Sequence, residues 1–210
     1  MFCEHCWPKL KFITEPKCQI CSYPFEIEIK HMKPLCATCL TKPPAYDKAV
    51  TIFLYNDIIR KAISDLKYND QIFLAKKFAR LLREKAKNEI ADCDLIGAVP
   101  LHIKKLQKRK FNQAVLIGKN LGKEKFVTDL LQRVADTTPQ VTLKYKERKK
   151  NLKRAFLVNA KYRNSLRGKT ILLIDDVMTT GATLENCAKA LRKCGAAKIT
   201  TLTIAKTVFD

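Results

Sequence analysis

The sequence predicts an α/β fold, a doubly wound parallel sheet with a small cysteine-rich module at its N-terminus. Three observations lead there. Apolar strands alternate with amphipathic helices from residue 49 onward. Six of the nine cysteines fall within the first 39 residues as three C-x2-C pairs. One late, wholly apolar strand runs into two carboxylates and a hydroxyl-rich turn. Such alternation buries its apolar faces best as a parallel sheet with helices on both sides.

Composition sets the bounds. The chain has 210 residues, 47% of them hydrophobic, enough for one α/β core plus an appended module. Lys and Arg number 41 against 20 Asp and Glu, a formal net charge of +21. Such a surplus draws polyanions: nucleic acid, phosphorylated small molecules or acidic lipid surfaces. The plain alternative is a lysine-rich solvated surface with no partner. No apolar run reaches the roughly 18 to 20 residues a spanning helix needs. The start, Met1-Phe2-Cys3-Glu4-His5-Cys6, lacks the layout of a secretory signal, so a cytoplasmic protein is expected.

The cysteine pairs are Cys3/Cys6, Cys18/Cys21 and Cys36/Cys39, while Cys93, Cys187 and Cys194 stand alone. Repeated two-residue spacers suit a tetrahedral thiolate site better than a disulfide framework. Four ligands close a structural zinc site, so one pair is surplus. Cys18, Cys21, Cys36 and Cys39 give C-x2-C-x14-C-x2-C, close to a zinc ribbon. Cys3/Cys6 with Cys18/Cys21 is the competing set, and His5 and His31 are further candidate ligands that read more simply as loop histidines. So small a module would draw much of its folding free energy from the metal.

Lys42-Pro43-Pro44-Ala45 marks the linker, placing a module at 1–44 and the main domain at 45–210. Ala49 to Tyr55 then reads as a strand. Ile58 to Leu66 and Ala75 to Ala86 trace two helical faces. Asp94 to Val99 is a short strand stopped by Pro100, and Phe111 to Leu121 a helix. Lys125 to Val134 stays ambiguous. Thr142 to Leu152 reads as helix and Ala155 to Val158 as a short strand. Thr170 to Ile174 is a buried strand, Ala182 to Cys194 a helix stopped by Gly195, and Ile199 to Ala205 the last strand.

The chemistry concentrates in Ile171-Leu172-Leu173-Ile174-Asp175-Asp176-Val177-Met178-Thr179-Thr180-Gly181-Ala182-Thr183. A turn feeding a helix N-terminus offers backbone N–H groups to a phosphate. Gly181 permits close approach, and the threonines add donors. Carboxylates touching that phosphate would repel it, so the acids must face sugar hydroxyls or a cation. A phosphorylated sugar has both features. A nucleoside-triphosphatase loop would need Lys after the glycine, and none follows Gly181. The bland reading is a surface acid pair and a threonine helix cap.

Ile171 to Thr183 resembles the phosphoribosyl pyrophosphate signature of type I phosphoribosyltransferases. The fuller chain resembles the ComF family, associated with natural competence and DNA uptake. Further matches are the Cys18–Cys39 module, Lys42-Pro43-Pro44, Val99-Pro100-Leu101-His102, Phe111-Asn112-Gln113 and Asn151-Leu152-Lys153-Arg154-Ala155-Phe156. The resemblance implies a type I phosphoribosyltransferase-like fold. It also implies that Asp175 and Asp176 hold ribose hydroxyls, while Thr179, Thr180, Gly181, Ala182 and Thr183 cradle the 5′-phosphate. Pro100-Leu101-His102 would lie near the pyrophosphate, neutralised by Mg²⁺. Family members often carry glycine where this chain has Lys110 and Arg154. Longer relatives have a further C-x2-C pair upstream, so Cys3/Cys6 is expected to be orphaned by a shortened start.

Two runs concentrate positive charge. They are Lys104, Lys105, Lys108, Arg109 and Lys110, then Lys144, Lys146, Arg148, Lys149, Lys150, Lys153 and Arg154. Lys104, Lys105, Arg109 and Lys110 are candidate contacts for nucleic acid or pyrophosphate, and Phe111, Tyr145 and Phe156 could stack on bases. The expected function is a ComF-like protein binding phosphoribosyl pyrophosphate and single-stranded DNA, with DNA-uptake helicase or recombination partners. The alternatives are an active phosphoribosyltransferase, with no general base legible, and a zinc-containing docking module with a vestigial pocket.

Overall fold

The computed structural model describes residues 2–27, 34–134 and 155–208. The strands are β1 (Lys48–Leu54), β2 (Leu95–Ala98), β3 (Phe126–Val127), β4 (Leu131–Arg133), β5 (Phe156–Val158), β6 (Thr170–Met178) and β7 (Lys198–Lys206). Five of them form one parallel sheet in the order β1-β7-β6-β2-β3, and β4 pairs antiparallel with β5. The helices are α1 (Ala37–Thr41), α2 (Asp57–Tyr68), α3 (Phe73–Lys85), α4 (Lys87–Asp92), α5 (Ile103–Arg109), α6 (Gln113–Leu121) and α7 (Ala182–Lys193).

Burial explains the layering. Leu172, Ile174, Leu202 and Ile204 point to one face and pack with Ile59, Phe78 and Ile117 of α2, α3 and α6. Ile171, Leu173 and Ile199 point to the other and pack with Leu184, Cys187 and Leu191 of α7 and with the β4–β5 hairpin. A sheet apolar on both faces is thus covered on both, as expected of a parallel sheet.

Three differences from the sequence reading bear on function. First, β6 runs past Ile174 to Met178, because β7 continues alongside and pairs Asp175 with Thr203 and Met178 with Lys206. Second, the basic run 103–109 is helix α5, with Ile103 and Leu106 both exposed. With no buried face and only two apolar residues, it gave no sustained periodic signal. Third, Phe156 is buried with Arg133 over its ring at 5.4 Å, which removes it from the base-stacking candidates. The expected helix Thr142–Leu152, the second basic run, His31 and Tyr145 lie outside the described residues.

The N-terminal segment lies along the outer edge of β1. Ile13 N–H donates to Ile52 O at 2.8 Å, Leu54 N–H to Lys11 O at 2.8 Å, and Ala49 N–H to Ile20 O at 2.6 Å. The buried Ser22 hydroxyl donates to Ala49 O at 2.7 Å. Among the described residues, no helix is long and apolar enough to cross a membrane.

Candidate functional site

The central strand β6 delivers its acids to the carboxyl edge of the sheet, and Thr179, Thr180 and Gly181 turn the chain into α7. Gly181 has φ +76, and a Cβ there would meet nothing closer than 3.8 Å. Backbone conformation, rather than space, therefore selects glycine. No side chain caps α7 at Gly181, and Thr179, Thr180, Ala182 and Thr183 are exposed. The Thr180 hydroxyl accepts the Ala182 N–H at 3.4 Å, and the first-turn amides that follow face solvent, a place for an anion.

The two acids differ. Asp175 lies on the α7 face, and its Oδ1 accepts the Asp176 N–H at 2.8 Å. Burial first, then the neighbouring Asp176 carboxylate, pushes the Asp175 carboxyl up to about 8. Asp176 lies on the opposite face with its side chain only 8% exposed, and its Oδ2 meets Lys67 Nζ at 2.9 Å. The same oxygen accepts a hydrogen bond from Gln113 Nε2. Lys67 closes the last turn of α2, and Gln113, itself 3% exposed, opens α6 after the Asn112 cap.

The Pro100-Leu101-His102 turn follows β2, the neighbour of β6. His102 caps α5, its Nδ1 accepting from Lys104 N–H at 3.3 Å. On α5, Lys104, Lys105 and Lys108 are exposed, as is Lys110 beyond it, whereas Arg109 is half-buried. Its guanidinium stacks on Tyr68 at 4.7 Å, donates to that hydroxyl at 2.5 Å and reaches Gln113 Oε1 at 3.3 Å. Lys110 adopts φ +63, the left-handed conformation that explains a glycine preference there. Sequence reasoning missed Lys67 and the buried Lys206, and it met Gln113 only as part of the Phe111-Asn112-Gln113 match, with no role. Lys67 came with no distinguishing pattern, and Lys206 reads as the end of an apolar strand.

The cysteines separate cleanly. Sγ atoms of Cys18, Cys21, Cys36 and Cys39 all lie within 4.8 Å of one another, with Cys21 and Cys36 at 3.6 Å. Four thiolates at zinc bonding distance stand about 3.8 Å apart, so the set fits a tetrahedral ion. Cys3 and Cys6 lie outside the cluster, and His5 Nε2 pairs with Lys9 Nζ at 2.8 Å. Among the described residues it is Cys18, Cys21, Cys36 and Cys39, rather than Cys3/Cys6 with Cys18/Cys21, whose sulfurs are gathered together. Burial pushes Cys18 up, but hydrogen bonds from the backbone of Cys21, Cys36 and Ile20 outweigh it and bring the thiol to about 7. Burial drives Cys21 up to about 11 against the pull of the Lys206 ammonium, and it raises Cys39 further. Loading a metal must therefore release protons.

A cavity of about 480 Å³ opens between these cysteines and Thr179–Ala182, with Lys42, Lys189 and Lys206 in its walls. Lys206 is 7% exposed and meets Met178 Sδ at 3.3 Å.

The fold is that of the phosphoribosyltransferase-like domains, and the family described as "Phosphoribosyl transferase domain" matches residues 100–207. The chain is 31% identical to Competence protein F of Haemophilus influenzae, over 94% of this chain and 93% of that protein. It is 29% identical to the DNA utilization protein YhgH of Escherichia coli, over 82% and 78% of the two chains. With Competence protein ComFC of Bacillus subtilis the identity is 25%, over 96% and 82%. The chain belongs to the ComF family.

Proposed function

We propose that this chain binds phosphoribosyl pyrophosphate with Mg²⁺ at the carboxyl edge of β6, and that it handles single-stranded DNA during DNA uptake and natural transformation. The observation that carries the first part is the exposed start of α7, entered through Gly181 at φ +76 a few residues after the acid pair, with no side chain from the cap residue to fill it. Thr179 to Thr183 would hold the 5′-phosphate, and Asp175 and Asp176 the ribose hydroxyls. Mg²⁺ would screen the pyrophosphate near Pro100 to His102, since a hard cation prefers phosphate oxygens and water. The names of the relatives, competence and DNA utilization, support the second part. The exposed lysines Lys104, Lys105 and Lys110 supply the charge for it, while Arg109 supports α5 from within.

In this reading residues 1–44 are a module built on structural zinc held by Cys18, Cys21, Cys36 and Cys39, and 45–210 are the phosphoribosyltransferase-like domain. The zinc would cross-link two knuckles that have little core of their own. Calorimetry with phosphoribosyl pyrophosphate and Mg²⁺ tests the site: one ligand per chain for the wild type, and loss of binding in Asp175→Asn/Asp176→Asn. Equal affinity in both would remove the roles given to the acids. Retention of single-stranded DNA should fall steeply with salt, and replacing Lys104, Lys105 and Lys110 with Ala should flatten that slope.

Turnover is the second reading, favoured by the cavity of about 480 Å³ beside the loop, which has room for an acceptor. Pyrophosphate release over a panel of acceptors, measured with and without Lys206→Met, distinguishes it from binding alone.

A further inference from the structure

Both acids are withdrawn from solvent, yet among the described residues it is Asp176 that meets a cation. Lys67 reaches it from the end of α2 at 2.9 Å, with side-chain exposures of 19% for the lysine and 8% for the acid. Gln113 donates to the same oxygen, so both bonds fall on Oδ2. The amide of Gln113 is itself held in one orientation. Its nitrogen must face the carboxylate and its oxygen must face a donor, and Arg109 supplies that donor at 3.3 Å. Arg109 is in turn braced on Tyr68, the residue after Lys67, by a 2.5 Å hydrogen bond and a 4.7 Å stack. The network closes on itself through the end of α2.

Such a network is a costly way to hold a fold. Desolvating an ammonium and a carboxylate offsets much of their attraction, and an apolar pair of similar volume is often as stable. This pair sits where the central strand meets the ligand edge of the sheet, beside the phosphate loop. Its effect there is geometric. Drawing Oδ2 toward α2 and α6 leaves Oδ1 as the oxygen that the described residues do not engage.

We infer that Lys67, with Gln113, is a positioning residue that fixes Asp176 so that its second oxygen meets a sugar hydroxyl. The inference rests on the phosphoribosyl pyrophosphate reading and adds to it a residue outside the signature. Lys67 acts through Asp176, so its loss should matter for ligands that carry the diol and not for the phosphate alone.

Calorimetry on the full chain tests this with phosphoribosyl pyrophosphate and Mg²⁺, and with inorganic phosphate as the diol-free probe. Lys67→Met should weaken phosphoribosyl pyrophosphate by about tenfold or more, with phosphate binding unchanged. Lys67→Arg should restore most of the loss. In the Asp176→Asn background, adding Lys67→Met should change affinity by less than about twofold, because the partner it acts through is gone. Lys67→Met binding as tightly as wild type, or losses that add in the double variant, would overturn the role of Lys67 alone. A wild type that gives no heat with phosphoribosyl pyrophosphate would overturn the underlying reading and this role together. If Lys67→Met does not fold, the arginine variant and the charge-free double variant carry the same comparison.

Discussion

The cysteine quartet and the acid pair are the two chemical centres of this chain, and they are assembled in opposite ways. The quartet is local: two knuckles of the same spacing bring four sulfurs within 4.8 Å. The acid pair is adjacent in sequence but parted in space. Asp175 turns to the α7 face, and Asp176 turns to an ion pair reaching in from α2 and a hydrogen bond from α6. A metal site can be specified by ligands alone, because the ion supplies the organising energy. A sugar-binding acid must be organised by the fold.

That contrast can be broken or sharpened by experiment. Cys36→Ser should remove the largest quantity, since structural zinc contributes on the order of 10 kcal/mol in isolated four-ligand modules. Elemental analysis should fall from about one zinc per chain to near none, while phosphoribosyl pyrophosphate binding by the sheet persists. Zinc content unchanged in that variant would show that the quartet is not the ligand set.

Lys67→Met comes next, costing about 3–5 kcal/mol in urea unfolding because it leaves a buried carboxylate unpaired. Asp176→Asn in the same chain should recover part of that loss. An additive result would mean that the two side chains do not share one interaction.

The third test uses pH. Asp175 is raised in the fold to about 8, so the proton it keeps favours the folded state. That contribution is complete below the ordinary carboxylate range and is lost as pH rises through about 8. Asp175→Asn should therefore gain thermal stability relative to wild type as pH rises from 5 to 9 (on the order of a few degrees). A difference that stays flat with pH would place that carboxyl in water.

The smallest effect belongs to Lys110→Gly. At φ +63 a lysine carries left-handed strain, and relieving it should stabilise the chain by about 0.5–1 kcal/mol after glycine's entropy is counted. Thermal unfolding reads it directly.

Much of this architecture was legible from pattern. Ile171 to Ile174 announced a doubly buried strand, Gly195 a helix stop, and the spacing of Cys18, Cys21, Cys36 and Cys39 a four-thiolate site. The illegible parts share a physical cause. Helix α5 has no buried face, so no periodicity marks it. Lys67 looks like one more solvated lysine among 41 basic residues, because only tertiary packing turns it inward to Asp176. The extension of β6 to Met178 was hidden because two acids interrupt the apolar run, and only the parallel partner β7 carries the strand through them. Phe156 illustrates the reverse error: an aromatic among cations that the hairpin buries.

The segment from Lys11 to Ile20 occupies hydrogen-bonding positions that an outermost strand would otherwise leave open. A chain cut before residue 45 would present β1 with vacant amides and carbonyls, a template onto which a second molecule could add. Self-association of such a fragment, disfavoured by adding the excised peptide in trans, is the expected behaviour. The cysteine-rich end would then serve the rest of the chain as a guard against aggregation.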